Sequence, residues 1–311
     1  MEVARPPGRH RLDVNAVTII VGIDDVTHSR PTIRELLDDH GLAPRRDLGQ
    51  NFVTDPNTVR RIAELARVGP GDHVVEIGAG LGSLTLALAD TGAHLTAVEV
   101  DAGVVPVLRG VVAGAGLTDV RVVEADAMTV DWTELLDPSV EGGWTLVANL
   151  PYNVGTPLVC DVLDEVHHVT RILVMVQREV AERFAAAPRT GAYGAISVKA
   201  AYWGTARIVG HVPATVFFPR PNVESALVEI TRRTPPDIAP GPLFELVRTA
   251  FGQRRKMLRK SLSGVVSADD FAAAGVAETA RPEELDVDAW VRLTAVIHPD
   301  AVGRAADGGG S

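Results

Sequence analysis

The run Val74-Val75-Glu76-Ile77, followed without a break by Gly78-Ala79-Gly80-Leu81-Gly82 and then by Ser83 to Ala89, constrains this chain more than any other stretch. The first segment reads as a short buried strand and the last as a helix. The glycines between them make a turn whose backbone no side chain shields. A strand that turns into a helix is the opening unit of a parallel sheet, because parallel neighbours need a crossover to return the chain. Further apolar runs at His94 to Glu99, Val120 to Glu124, Trp144 to Ala148 and Ile172 to Gln177 are separated by segments of crossover length. Together they predict an α/β fold with a doubly wound, mostly parallel sheet.

Glycines at such a turn let backbone approach a ligand at the carboxyl edge of the sheet. The next strand ends at Glu99, whose carboxylate is placed to accept both hydroxyls of a ribose, and the third ends near Asp126, placed to take the exocyclic amine of an adenine ring. The plain alternative is that the glycines only tighten the turn. A dinucleotide-dependent dehydrogenase would want glycine where Ser83 stands, whereas Gly-x-Gly-x-Gly preceded by Glu76 is closer to S-adenosylmethionine sites. Upstream, Leu48-Gly49-Gln50-Asn51-Phe52 precedes the helical stretch Pro56 to Ala66 and offers a polar segment to fold over the methionine end of that cofactor.

After the run Trp144 to Ala148 comes Asn149-Leu150-Pro151-Tyr152, a polar amide, an extended residue fixed by the following proline, and an aromatic ring. The Asn149 side-chain oxygen and the Leu150 carbonyl suit the hydrogens of an amino group on a flat base, and Tyr152 supplies a stacking face for an extruded base. This combination points to methyl transfer to adenine, a reaction that needs no metal because its leaving group is a neutral thioether. The bland alternative is a strand-end turn with a packed tyrosine.

The length of 311 residues suits one large domain plus a smaller one, and 46% apolar residues with modest charge describe an ordinary globular chain. The single Cys160 has no disulfide partner and no metal-ligand spacing around it, as expected for a reducing compartment, and the cytoplasm is the default. Residues 14–23 are apolar but interrupted by Asn15, Thr18 and Gly22, and read as neither a signal peptide nor a membrane anchor. Residues 1–30 form an extension expected to lack order, residues 31–233 the sheet domain, residues 234–299 a small helical domain, and residues 300–311 a disordered tail. Thr234-Pro235-Pro236 and Pro240-Gly241-Pro242 read as the linker between the two domains. A net charge of −10 argues against indiscriminate nucleic-acid binding, so local clusters decide. Arg254, Arg255, Lys256, Arg259 and Lys260 fall within a segment whose apolar residues Val247, Phe251, Leu258 and Leu262 have helical spacing. The spacing predicts one continuous helix with a basic side, Arg254 projecting nearer the apolar stripe. The nine histidines show no metal spacing, and His167-His168 reads as a turn before the fifth strand.

These blocks resemble, in content and order, the ribosomal RNA small-subunit adenine dimethyltransferases, the KsgA family. The resemblance runs from Thr32 to Pro299. It adds Val216-Phe217-Phe218-Pro219-Arg220-Pro221-Asn222-Val223-Glu224-Ser225-Ala226 and Ala250-Phe251-Gly252-Gln253-Arg254-Arg255-Lys256 to the segments already quoted. It implies a Rossmann-like methyltransferase sheet with S-adenosyl-L-methionine contacted by Asn51, Val53, Gly78, Glu99, Asp126 and Asn149. The target base would be surrounded by Asn149, Leu150, Tyr152 and Phe217, with Phe217 favoured as a stacking face over a core residue. It also implies RNA contact by the basic segment. The family dimethylates two adjacent adenosines in a hairpin loop near the 3′ end of small-subunit rRNA, late in subunit assembly, so the partners implied are that rRNA and the immature small subunit. The protein itself is expected to be a monomer. Val53, Gly155, Asn222 and Glu224 depart mildly from the family pattern. Two alternatives stand beside this reading: a large-subunit rRNA methyltransferase of the macrolide-resistance type, and a noncatalytic assembly factor.

Overall fold

The structure, a computed structural model, describes residues 28–303 and two short strands before them, β1 (His10–Val14) and β2 (Val17–Val21), which pair antiparallel. The rest of the extension and tail expected to lack order lies outside the described residues. In chain order there follow α1 (Arg30–Asp39), β3 (Phe52–Val53), α2 (Pro56–Ala66), β4 (His73–Ile77), α3 (Ser83–Ala89), β5 (His94–Glu99), α4 (Val105–Gly114), β6 (Val120–Glu124), α5 (Trp132–Leu135), β7 (Trp144–Asn149), α6 (Gly155–Glu165) and β8 (Val169–Gln177). The chain continues with α7 (Arg178–Phe184), α8 (Ala195–Trp203), β9 (Gly204–Val212), β10 (Phe217–Phe218), β11 (Ser225–Arg232), α9 (Pro240–Phe251), α10 (Leu258–Ser261), α11 (Ala268–Ala273) and α12 (Val287–Ile297).

The main sheet has seven strands in the order β6-β5-β4-β7-β8-β11-β9, and the pairs β6-β5, β5-β4, β4-β7 and β7-β8 are parallel. Strand β4 is central and buried along Val74 to Ile77, which is why its sequence shows continuous apolar character instead of alternation. The chain winds outward from β4 to β6, then returns to the other side of β4 as β7. That reversal opens a crevice at the carboxyl ends of the strands. Helix starts follow local chemistry. Asp55 caps α2 by accepting the Thr58 N–H at 3.0 Å, with Pro56 in the first turn, and Ser29 caps α1 by accepting the Thr32 N–H. A second, two-stranded pairing joins Phe217 of β10 to Val53 of β3.

Two compact units share the chain. One holds His168–Gln177, Val209–Leu227 and the chain through Leu158; the other holds Val159–His167, Arg178–Ile208 and the chain from Val228 onward. The expected division at residues 233 and 234 does not coincide with them, because segments before Thr234 pack with the C-terminal helices. Tyr193 Oη donates to the Leu285 carbonyl at 2.8 Å, and Tyr202 Oη donates to that of Ile238 at 2.6 Å. Of the expected linker, Thr234-Pro235-Pro236 lies in irregular chain between β11 and α9, whereas Pro240-Gly241-Pro242 belongs to a helix. Pro240 opens α9, where its missing N–H costs nothing, and Ala239 N–H donates to the Ala301 carbonyl at 2.8 Å. The predicted continuous basic helix is interrupted as well. Helix α9 ends at Phe251, and the N–H groups of Leu258 and Arg259 bond across to the carbonyls of Ala280 and Glu278, so the intervening residues form a turn.

Candidate active site

Parallel register levels the ends of three strands. Ile77 lies opposite Val98 of β5 and Ala148 of β7, so the residues that follow, Gly78, Glu99 and Asn149, leave the sheet side by side. Pairing of Glu99 with Glu124 carries the segment around Asp126 to the same edge. Two adjoining clefts open there, of about 940 and 660 Å³, sharing walls at Gly78, Val100, Leu150 and Pro151. Asn51, Val53, Gly78, Glu99, Asn149, Tyr152 and Phe217 line the first, and Asp126 lines the second. Every residue expected to meet cofactor or base is therefore brought to this edge.

The turn after β4 is held open by its glycines and closed by carboxylates. Gly80 has φ +55, and a Cβ there would stand 3.1 Å from the Phe52 ring. Glu99 is 5% exposed; one carboxylate oxygen accepts the Gly80 N–H at 2.7 Å, and the other accepts those of Val100 at 3.0 Å and Asp101 at 2.9 Å. Burial raises its pKa and these bonds oppose the rise. Glu76, 1% exposed, accepts the Thr85 hydroxyl at 2.6 Å; burial pushes its pKa up to about 8 against the pull of that bond, and the Glu99 charge adds to the rise. His28 braces the turn from outside, its Nε2–H donating to the Leu81 carbonyl at 2.8 Å and its backbone N–H to Ser83 Oγ at 3.2 Å. Burial lowers the His28 pKa, against the bond to Leu81. His28 and Glu76 were not among the expected site residues. The sequence signal for Glu76 is its place in a buried strand just before the glycine run, and His28 carries none.

On the base side, the Asn149 amide nitrogen donates to the Asn51 carbonyl at 3.0 Å, and the Asn51 amide donates to the Gly49 carbonyl at 2.9 Å. A carbonyl only accepts, so the bond fixes which way the Asn149 amide faces and leaves Oδ1 as its available acceptor. Gly49, with φ +64, allows the two segments to touch, since a Cβ there would sit 2.9 Å from that of Pro151. Leu150 is 2% exposed and held by its N–H to the Met175 carbonyl at 3.1 Å, while its own carbonyl accepts no bond among the described residues. The Tyr152 hydroxyl lies 3.2 Å from Ser225 Oγ, which anchors the ring at its tip. Phe217 corrects the stacking expectation. At 1% exposure it belongs to a core cluster with Val59, Ile62 and Met175, and it forms a buried wall of the cleft instead of an open platform.

The five basic residues expected to contact RNA divide into two groups. Arg254 Nε donates to Glu283 at 2.6 Å and its Nη2 to the Gly191 carbonyl at 2.8 Å, and Arg259 pairs with Glu278 at 3.1 Å. These two are committed inside their own unit. Arg255, Lys256 and Lys260 are exposed and have no side-chain partner among the described residues.

Residues 41–298 match the family described as ribosomal RNA adenine dimethylase. The chain belongs to that family. As a ribosomal RNA adenine dimethylase it is an S-adenosylmethionine-dependent enzyme, and the crevice fits that cofactor. Its glycine turn presents bare backbone, Glu99 offers a carboxylate beside it, and Asp126 lies in the adjoining cleft. A Bifidobacterium longum subsp. infantis protein named ribosomal RNA small subunit methyltransferase A is 44% identical over 281 residues, covering 85% of this chain and 92% of its own. Among solved structures, a dimethyladenosine transferase from Plasmodium falciparum superposes with a TM-score of 0.69 at 19% identity, covering 80% of this chain and 98% of its own. The 23S rRNA methyltransferase ErmE gives a TM-score of 0.61 at 26% identity, covering 79% and 99%. Among the described residues no helix is long and apolar enough to cross a membrane.

Proposed function

We propose that this dimethylase methylates N6 of two adjacent adenosines in the 3′-terminal hairpin loop of 16S rRNA, acting as a cytoplasmic monomer on the immature small subunit late in its assembly. The observation that carries the reading is the fixed Asn149 amide, which keeps Oδ1 as its acceptor, in a cleft also lined by Leu150, whose carbonyl accepts no bond among the described residues. The N6 lone pair of adenine is delocalised into the ring. Two acceptors that take the N6 hydrogens favour a more tetrahedral nitrogen and turn its lone pair toward the methyl donor. Tyr152, held by Ser225, offers its ring to the extruded base. When bound, S-adenosylmethionine supplies a methyl group on a positively charged sulfur. The residues named to hold it are Asn51, Val53, Gly78, Glu99, Asp126 and Asn149. Arg255, Lys256 and Lys260 supply free positive charge for rRNA phosphates.

The name of the Bifidobacterium relative supports the small subunit over the large. Incubation with labelled S-adenosylmethionine and unmethylated small subunits, followed by mapping of the labelled nucleotides, tests the reading. Two dimethylated neighbours in the 3′-terminal loop are expected. Label in large-subunit rRNA instead would establish the macrolide-resistance alternative, and binding without label would establish the noncatalytic one.

A further inference from the structure

Helix α1 is latched to the segment that closes the base side of the cleft. Arg30 Nη2 donates to the carbonyls of Thr215 at 3.1 Å and Phe217 at 3.0 Å, and the Arg34 guanidinium lies 5.0 Å from the centroid of the Phe218 ring. Arg220 follows in the same segment and lines an open groove of about 870 Å³, with Thr215, Asn222 and Glu224 among its walls. Thr215 thus belongs to the groove and receives Arg30, while Phe217 belongs to the base cleft. One stretch of chain carries the wall of the cleft and gathers three guanidinium groups outside it.

These arginines differ from those that hold the fold. Arg171 donates to the carbonyls of Leu65 and Ala66, and Arg232 to those of Val162, Leu163 and Val166, so both close helix ends. Arg34 and Arg220 are exposed and pair with no carboxylate among the described residues. Arg30 uses only Nη2, leaving Nε and Nη1 as donors. Of the neighbouring acids, Glu224 lines the groove, Glu35 lies on α1, and Asp38 and Asp39 lie at its far end.

We propose that Arg30, Arg34 and Arg220 form a landing for backbone phosphates of the rRNA strand flanking the extruded adenosine. A guanidinium stacked on an aromatic ring is pre-organised, and its planar fork matches phosphate oxygens. On a chain with a net charge of −10, an approaching polyanion is drawn to such local positive sites. The landing rests on the functional reading above and deepens it, adding contacts in the unit that holds the chemistry.

The test is the salt dependence of full-length protein binding to unmethylated small subunits and to deproteinised small-subunit rRNA. R34Q/R220Q should lose about tenfold in affinity for both and show a slope shallower by about 1.4, two single-strand contacts at ~0.7 each. R34K/R220K should keep the wild-type slope, and calorimetry should give all three proteins the same affinity for S-adenosylmethionine. An unchanged slope for R34Q/R220Q beside active wild-type protein overturns the landing alone. A loss confined to intact subunits makes a ribosomal protein the partner and overturns the RNA assignment. Loss of cofactor affinity in R34Q/R220Q reduces the arginines to a structural role and overturns it too. Wild-type protein that neither binds nor methylates small subunits overturns the functional reading itself.

Discussion

At the glycine turn Glu99 accepts N–H groups from Gly80, Val100 and Asp101, whereas after α9 the side chains of Arg255, Lys256 and Lys260 have no partner among the described residues. The first region commits its polar atoms to one geometry before any ligand arrives; the second keeps its charge available. Chemistry at a single nitrogen needs groups that do not reorganise. Attraction to a polyphosphate surface needs only charge that water and counterions can leave.

The largest expected effect tests the committed region through Glu76. The folded chain retains the Glu76 proton up to about pH 8, whereas its ordinary value is 4.5. Between those values the folded state binds a proton that the unfolded state has released, so stability falls as pH rises, by up to about 1.4 kcal/mol per pH unit. Glu76→Gln keeps the shape and abolishes that dependence. Thermal unfolding from pH 5 to 9 should show the variant gaining on wild type as pH rises; parallel curves would mean that Glu76 is ionised and compensated.

Next comes Asn149→Ala, which removes the amide that Asn51 orients. Single-turnover methylation with saturating cofactor and subunits should slow by about 3 kcal/mol in barrier, more than a hundredfold. A near wild-type rate would show that the Leu150 carbonyl alone suffices, and the pre-organisation assigned to this side would be lost.

The smallest effects sharpen the contrast among the five basic residues. Replacing Arg255, Lys256 and Lys260 by Ala should flatten the salt dependence of subunit binding by roughly 2 to 3 units of slope. Arg254→Ala and Arg259→Ala should instead lower thermal stability by no more than about 1 kcal/mol each, with little change in slope. If the paired arginines altered the slope as strongly as the unpaired ones, the division into committed and available charge would collapse.

Much of this was legible in the chain. The strand runs ending at Ile77 and Glu99 are buried neighbours in a parallel sheet, and burial on both faces writes itself as continuous apolar sequence; the run ending at Glu124 lies beside them as a partly exposed edge strand. The segment after β7 was legible because a proline and an aromatic ring at a strand end leave few conformations. Three things were not. Helix periodicity carried Val247, Phe251, Leu258 and Leu262 on one stripe, but the bonds from Leu258 and Arg259 to residues 280 and 278 are long-range and break the helix. Phe217 went to the core because β10 pairs with β3, a contact between residues 217 and 53 that no local pattern announces. Arg254 looked like its neighbours in sequence, and only the placement of Glu283 sets it apart.

The Asn149 amide, turned by the Asn51 carbonyl so that Oδ1 is left as an acceptor in the cleft that Leu150 also lines, sets a limit on how many times the proposed reaction can run. An unmodified adenine amine brings two hydrogens to these two acceptors, and each transfer consumes one. The singly methylated base still offers one hydrogen, enough to be held and turned again. The doubly methylated base offers none, and the two oxygens then face methyl groups and lose their only solute partner. The site thereby reads its own progress, and the finished product is the species it holds least well.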